Sequence, residues 1–155
     1  MPPQAPPPPP ADYDPLTLER PYPFQDLLGF ELTAWSEGFT RIELTLTRAH
    51  LNRHHIPHGG IHAALLDTAM GYAGSFCPYP GRVRRAMTLS LTVNYLGQPK
   101  GTRLIAEGRQ TGGGRKSYFV EGRLTDDTGA LIATGSAAMR WRGNGGSLWG
   151  DPGEP

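Results

Sequence analysis

Residues 59–76 read GGIHAALLDTAMGYAGSF, and their period decides the rest. Ile61, Leu65, Ala69, Tyr72 and Phe76 recur at helical spacing, and Ala63, Ala64 and Ala73 fill much of the remaining circumference. A helix with so little charge around it is one that the molecule buries on all sides. Pro78 and Pro80 close it, since proline cannot continue a helix. On either side the period changes from helical to two. Upstream, Ile42, Leu44 and Leu46 alternate with polar residues, and Phe30 to Trp35 forms a shorter strand turned at Ser36-Glu37-Gly38. Downstream, Met87, Leu89, Leu91, Val93 and Tyr95 share one face against Thr88, Ser90, Thr92 and Asn94. Further strands follow at Arg103–Arg109, Lys116–Thr125 and Ala130–Trp141, the last two joined by an Asp127-Thr128-Gly129 turn. The order is two strands, one buried helix, then a run of strands. It predicts an α+β domain in which an antiparallel sheet of about five to six strands wraps one central helix.

The chain has 155 residues, which suits a single domain. Residues 1–15 open with MPPQAPPPPP and are expected to be a disordered proline-rich tail. Residues 16–142 form the domain, and 143–155, glycine- and proline-rich without periodicity, are expected to be a second disordered tail. A net charge of +1 argues against a general attraction to nucleic acid or an anionic membrane. The single Cys77 rules out an internal disulfide framework and suits a reducing compartment. With no apolar run near the ~20 residues of a membrane helix and no signal-peptide pattern, the expected location is the cytoplasm.

The helix that organises the fold also carries the reactive groups. Gly59 and Gly60 stand at its start, where free N–H groups and the positive dipole end favour negative charge, as on a carbonyl oxygen under attack. The same pair is also what a plain loop-to-helix turn requires. Asp67 is a carboxylate in an otherwise apolar stretch, which is costly unless it is paired or used. A wet helix edge would explain it equally well. Eight residues separate Gly59 from Asp67, about 12 Å along one helix. One small carbonyl cannot touch both within one chain, so the spacing favours a homodimer in which the partner's antiparallel helix supplies the second group.

The five histidines, His50, His54, His55, His58 and His62, crowd into thirteen positions. His54, His58 and His62 would make a metal face on one helix, but Pro57 breaks that register, so no metal is expected. Two basic clusters are candidates for phosphates: Arg82, Arg84 and Arg85 after the helix, and Arg115 and Lys116 after a glycine run. Solvated loop charge is the plainer explanation for each. Tyr72, Phe76 and the Met87 strand would line an apolar pocket.

The run His58-Gly59-Gly60-Ile61-His62-Ala63-Ala64-Leu65-Leu66-Asp67-Thr68-Ala69 resembles the HGG-x4-L-x-D-x-A signature of hotdog-fold acyl-CoA thioesterases of the phenylacetate-pathway (PaaI-like) type. Asn94-Tyr95-Leu96, the Gly114-Arg115-Lys116 step and the Asp-x-x-Gly turn stand in that family's order, and the likeness runs from about Leu27 to Arg140. The resemblance implies hydrolysis of an acyl-CoA to free acid and CoA, with no cofactor. Asp67 would be general base or nucleophile, Gly59 or Gly60 the oxyanion donor, and His58 the residue that shapes the turn. Asn52 would position water or substrate, and Thr88 would assist the attacking water. The family's dimer, in a dimer of dimers, carries its sites at the subunit interface. The sequence departs from the family at His55, where glycine is common. Two other functions stay open: a non-catalytic acyl-CoA-binding or sensing domain on the same fold, and a hydratase using His62 and Asp67. The hydratase is disfavoured because those side chains point about 140° apart on one helix.

Overall fold

The computed structural model describes residues 5–153. Two short helices, α1 (Pro15–Leu18) and α2 (Pro23–Leu28), precede β1 (Glu31–Ser36) and β2 (Phe39–Thr45). The long helix α3 (Gly59–Ser75) follows, then β3 (Arg82–Val83), β4 (Ala86–Tyr95), β5 (Arg103–Gly113), β6 (Ser117–Asp126), β7 (Leu131–Trp141) and β8 (Asp151–Pro152). Six strands form one sheet in the order β1-β2-β5-β6-β7-β4, with every neighbouring pair antiparallel. This is the expected architecture: a curved antiparallel sheet around a single long helix. No helix among the described residues is long and apolar enough to cross a membrane.

The helix is buried as its composition predicts. Leu65, Leu66, Ala69, Met70 and Ala73 are fully inaccessible and pack on Leu104, Ala106, Val120, Leu124 and Ile132 of the sheet. Each large side chain so buried stabilises the fold by about 1.5–3 kcal/mol. The close approach of helix to sheet depends on glycines. Gly108 pairs with Gly122, and Gly122 with Gly135, so a row of three crosses β5, β6 and β7 under α3. A Cβ at Gly108 would lie 2.5 Å from the Ala69 carbonyl oxygen, and one at Gly122 2.9 Å from Leu66.

Two expectations need correction. The alternation in β4 is interrupted: Thr88 pairs with Met139 and Ser90 with Ala138, leaving Leu89 as an unpaired bulge. Leu91 and Val93 pack on the core, whereas Met87 is 48% and Leu89 56% exposed. Beyond the bulge, Thr88 therefore turns toward the helix.

The described part of the expected tail after Gly143 is folded onto the body. β8 pairs with β3, the Arg82 guanidinium donates to the Trp149 and Gly150 carbonyls, and Arg84 Nε donates to the Gly145 carbonyl at 2.7 Å. Arginine-to-carbonyl bonds order this segment, and they leave no periodic trace in its sequence. Residues 154–155, like 1–4, lie outside the described residues. Of the proline-rich stretch, residues 5–12 show no helix or strand, and Asp14 caps α1 by accepting from the Leu16 N–H at 3.0 Å.

Candidate functional site

The loop before α3 is set by Asn52. Its side-chain carbonyl accepts the His54 N–H at 2.8 Å and the Ile56 N–H at 3.4 Å, and its own N–H donates to the Ile56 carbonyl. The Asn52 side-chain oxygen thus shapes the turn. In that turn His55 sits at φ 60°, a left-handed conformation. The glycine that the family resemblance implies at this position would have a backbone reason: a residue without Cβ adopts that angle at no steric cost.

His58 is the N-cap of α3, with extended φ and ψ, and its Nδ1 accepts the Gly60 N–H at 2.8 Å. The peptide between Gly59 and Gly60 is held at its other end too, since the Tyr95 hydroxyl donates to the Gly59 carbonyl at 2.9 Å. The His58 carbonyl takes the Ile61 N–H. Among the described residues no acceptor takes the Gly59 N–H, which leaves it as the open donor of the glycine pair.

Asp67 lies two turns further on, half-buried. Thr88 Oγ1 donates to Asp67 Oδ1 at 2.7 Å. The bulge at Leu89 makes this contact possible. The two residues border a cavity of about 420 Å³ that continues along α3 past Thr68, Gly71, Tyr72 and Ser75, with Tyr22 on one wall and Arg85 and Arg142 on another. The small and hydroxyl side chains at 68, 71 and 75 follow Asp67 at one, four and eight residues, a helical stripe visible in the sequence but not singled out there. Tyr22 and Arg142 come from distant segments and carried no sequence signal.

Not every expected pocket or phosphate residue gathers here. Tyr72 lines the cavity, but its hydroxyl donates to Glu19 at 2.8 Å; burial, then that carboxylate, push the phenol well above its usual range. Phe76 packs edge-on against Trp35, ring centroids 5.7 Å apart, away from Asp67. Arg84 also lines the cavity and is buried: its guanidinium donates to the Gly145 and Phe76 carbonyls and lies over the Trp141 ring, so the protein's own groups engage it. Arg82 is likewise engaged by the C-terminal segment. Arg115 and Lys116 are exposed beside a second cleft of about 400 Å³, completed by Asn144 and Ser147.

The histidines divide by role. His50 is buried, with Nε2 donating to the Leu28 carbonyl and Nδ1 accepting from Thr47 N–H. His62 is buried, among the described residues neither ring nitrogen is bonded, and burial, then His58, depress its pKa below the usual imidazole value. Among the described residues no three His, Cys, Asp or Glu side chains gather as metal ligands.

Residues 54–133, just over half of the chain, match the family described as the thioesterase superfamily. A protein of Archaeoglobus fulgidus with a provisional esterase name is 25% identical over 109 residues, 70% of this chain and 68% of that one. Among solved structures, the Escherichia coli PaaI protein of the phenylacetic acid degradation operon superposes with a TM-score of 0.68 at 24% identity, covering 78% of this chain and 85% of that one. The smu.793 protein of Streptococcus mutans, solved with acetyl CoA, gives 0.65 at 24% identity over 74% of this chain and 90% of that one. These structural likenesses speak for the fold. The family match speaks for the chemistry, and on it the chain belongs to the thioesterase superfamily as a thioester hydrolase of the hotdog fold.

Proposed function

We propose that the protein hydrolyses an acyl-CoA thioester to the free acid and CoA, with Asp67 as its catalytic carboxylate and the Gly59 N–H as oxyanion donor. The observation that carries this reading is the hydrogen bond from Thr88 to Asp67 at the border of a cavity large enough for an acyl group. With one carboxylate oxygen engaged by Thr88, the other is left to take a proton from water. The water oxygen then attacks the thioester carbonyl carbon, and the charge that develops on the carbonyl oxygen meets the open Gly59 N–H at the positive end of α3. Collapse breaks the carbon–sulfur bond, and the proton held by Asp67 passes to the departing CoA sulfur. Direct attack by Asp67, giving a mixed anhydride, is the other route open to the same residues; incorporation of oxygen-18 from water into the enzyme carboxylate in a single turnover separates the two.

Gly59 and Asp67 are the first and ninth residues of one helix, about 12 Å apart. Each reaction centre therefore draws Asp67 from one subunit and Gly59 from the other. The exposed edge strand β4, with Met87 and Leu89 bare to solvent, supports a two-fold partner at that edge. Arg115 and Lys116 are suited to phosphates of the CoA, and the acyl-CoA-bound relative from S. mutans agrees with that ligand class.

A hydrolysis screen over short, long and aromatic acyl-CoAs tests the reading. Wild type turns over at least one class, Asp67→Ala loses more than about a hundredfold in kcat, and Gly59→Pro loses about 10²–10³-fold. Proline is well tolerated at the first position of a helix, so Gly59→Pro removes the N–H; its Cβ would lie 3.3 Å from the Tyr95 ring, so Gly59→Ala, which adds the same Cβ and keeps the N–H, is the control. Inactivity of wild type on every class, or full activity of Asp67→Ala, refutes it.

A further inference from the structure

Glycine at the start of α3 leaves the proposed oxyanion donor on the most flexible residue type. The structure supplies a restraint from elsewhere. Tyr95, at the last position of β4, donates its hydroxyl to the Gly59 carbonyl at 2.9 Å. Its ring lies where a side chain on Gly59 would sit: a Cβ built there would be 3.3 Å from the ring edge. The ring is itself backed by the buried His62, with centroids 5.8 Å apart. The Gly60 N–H is tied to His58 Nδ1 and the His58 carbonyl to the Ile61 N–H. Both peptides flanking the Gly59 Cα are thereby pinned, and the group of theirs without an acceptor among the described residues is the Gly59 N–H.

We propose that Tyr95 is a positioning residue for thioester hydrolysis, acting through its hydrogen bond to the Gly59 carbonyl to hold the Gly59 N–H in line for the developing oxyanion. This rests on the assignment of that N–H as the donor made above. β4 then serves both halves of the chemistry. Its inward face meets the start of α3 through Tyr95 and meets Asp67 through Thr88. A donor fixed before the reaction costs no reorganisation as charge develops, so the effect belongs to the chemical step and not to substrate binding.

The test is a double-mutant cycle on the homo-oligomeric enzyme with whichever acyl-CoA is turned over. Tyr95→Phe keeps the ring and removes only the hydroxyl. It lowers kcat by about five- to thirtyfold with KM within about twofold, a fraction of the loss from removing a donor outright. In a Gly59→Pro background the same Tyr95→Phe change has no further effect on kcat, because the N–H it aligns is gone, whereas in a Gly59→Ala background, which adds the same Cβ beside the Tyr95 ring but keeps the N–H, it still lowers kcat. The Gly59 carbonyl carbon-13 resonance, read in unliganded protein, shifts on Tyr95→Phe as the phenol donor is lost. Full kcat in Tyr95→Phe overturns the inference, as does an equal loss with and without the Gly59 N–H. Should Tyr95→Phe lose its fold, Tyr95→His, which keeps a ring and a donor, retaining most of kcat supports it, and loss of the same factor in that folded variant overturns it. Full activity in Asp67→Ala or Gly59→Pro strikes at the assigned chemistry instead, so the two failures are distinguishable.

Discussion

His62 shows how a single residue can be costly in the folded state. It is 5% exposed, and among the described residues neither ring nitrogen has a partner. An unsatisfied buried polar group costs about 1–3 kcal/mol. Burial holds its folded pKa below the usual imidazole value of 6.5, with His58 adding to the effect. The sign follows from which state binds the proton more readily. Below 6.5 the unfolded chain takes up a proton that the folded chain refuses, so stability is full above that pH and declines as the pH falls toward the folded pKa. His62→Leu removes both the unsatisfied nitrogens and the titration. Thermal unfolding of His62→Leu at pH 7.5 should match or exceed wild type by about 1 kcal/mol. Between pH 7.5 and 5.5 its Tm should fall less than that of wild type; parallel curves for the two proteins would show that His62 does not carry the slope. Asp67, by contrast, was conspicuous in the sequence for a reason that survives in the structure: it is the one carboxylate among apolar helix residues, and it borders a cavity with a hydroxyl donor at 2.7 Å.

At the scale of elements, the helix and the six sheet strands were legible because burial imposes a period on them, 3.6 for α3 and two for the strands. What was not legible had no period to show. The segment after Gly143 is ordered by Arg82 and Arg84 reaching its carbonyls, and those same arginines had suggested phosphate ligands. Thr88 faced the wrong way under strict alternation, and a one-residue bulge at Leu89 corrects it. The Tyr95–Gly59 contact joins residues 36 apart, and no local pattern announces it. The glycine row under α3 makes a sharp prediction at this scale. At Gly108 an added Cβ meets helix backbone, with Ala69 O at 2.5 Å and Met70 N at 2.9 Å, atoms that cannot move without lifting the helix. Gly108→Ala should cost about 3 kcal/mol, near the top of the usual range for overpacking, and lower Tm by about 6–12 °C. Gly112→Ala, on the same strand with nothing within 4 Å, is the control and should shift Tm by little. Equal shifts for the two would mean the close approach does not limit packing.

At the scale of the molecule, the separation of Gly59 from Asp67 has a numerical consequence. If each site combines Asp67 of one subunit with Gly59 of the other, two dead proteins can make a live one. Asp67→Ala and Gly59→Pro are each inactive as homodimers because every site in either lacks one group. In a mixed dimer, one site inherits both defects and the other inherits neither. Random exchange of equal amounts makes half of all dimers mixed, each with one intact site of two, so the mixture recovers about a quarter of wild-type activity per subunit. Sites confined to one chain would recover none. The recovery must also depend on association. The bare edge of β4 puts Leu89, 56% exposed, where a partner strand would lie. Leu89→Lys, a charge on an exposed side chain of that edge, should shift the mass in light scattering toward the monomer and abolish complementation. A monomeric wild type with full activity, or a Leu89→Lys monomer that retains it, would return both groups to a single chain and require a substrate that spans about 12 Å between them.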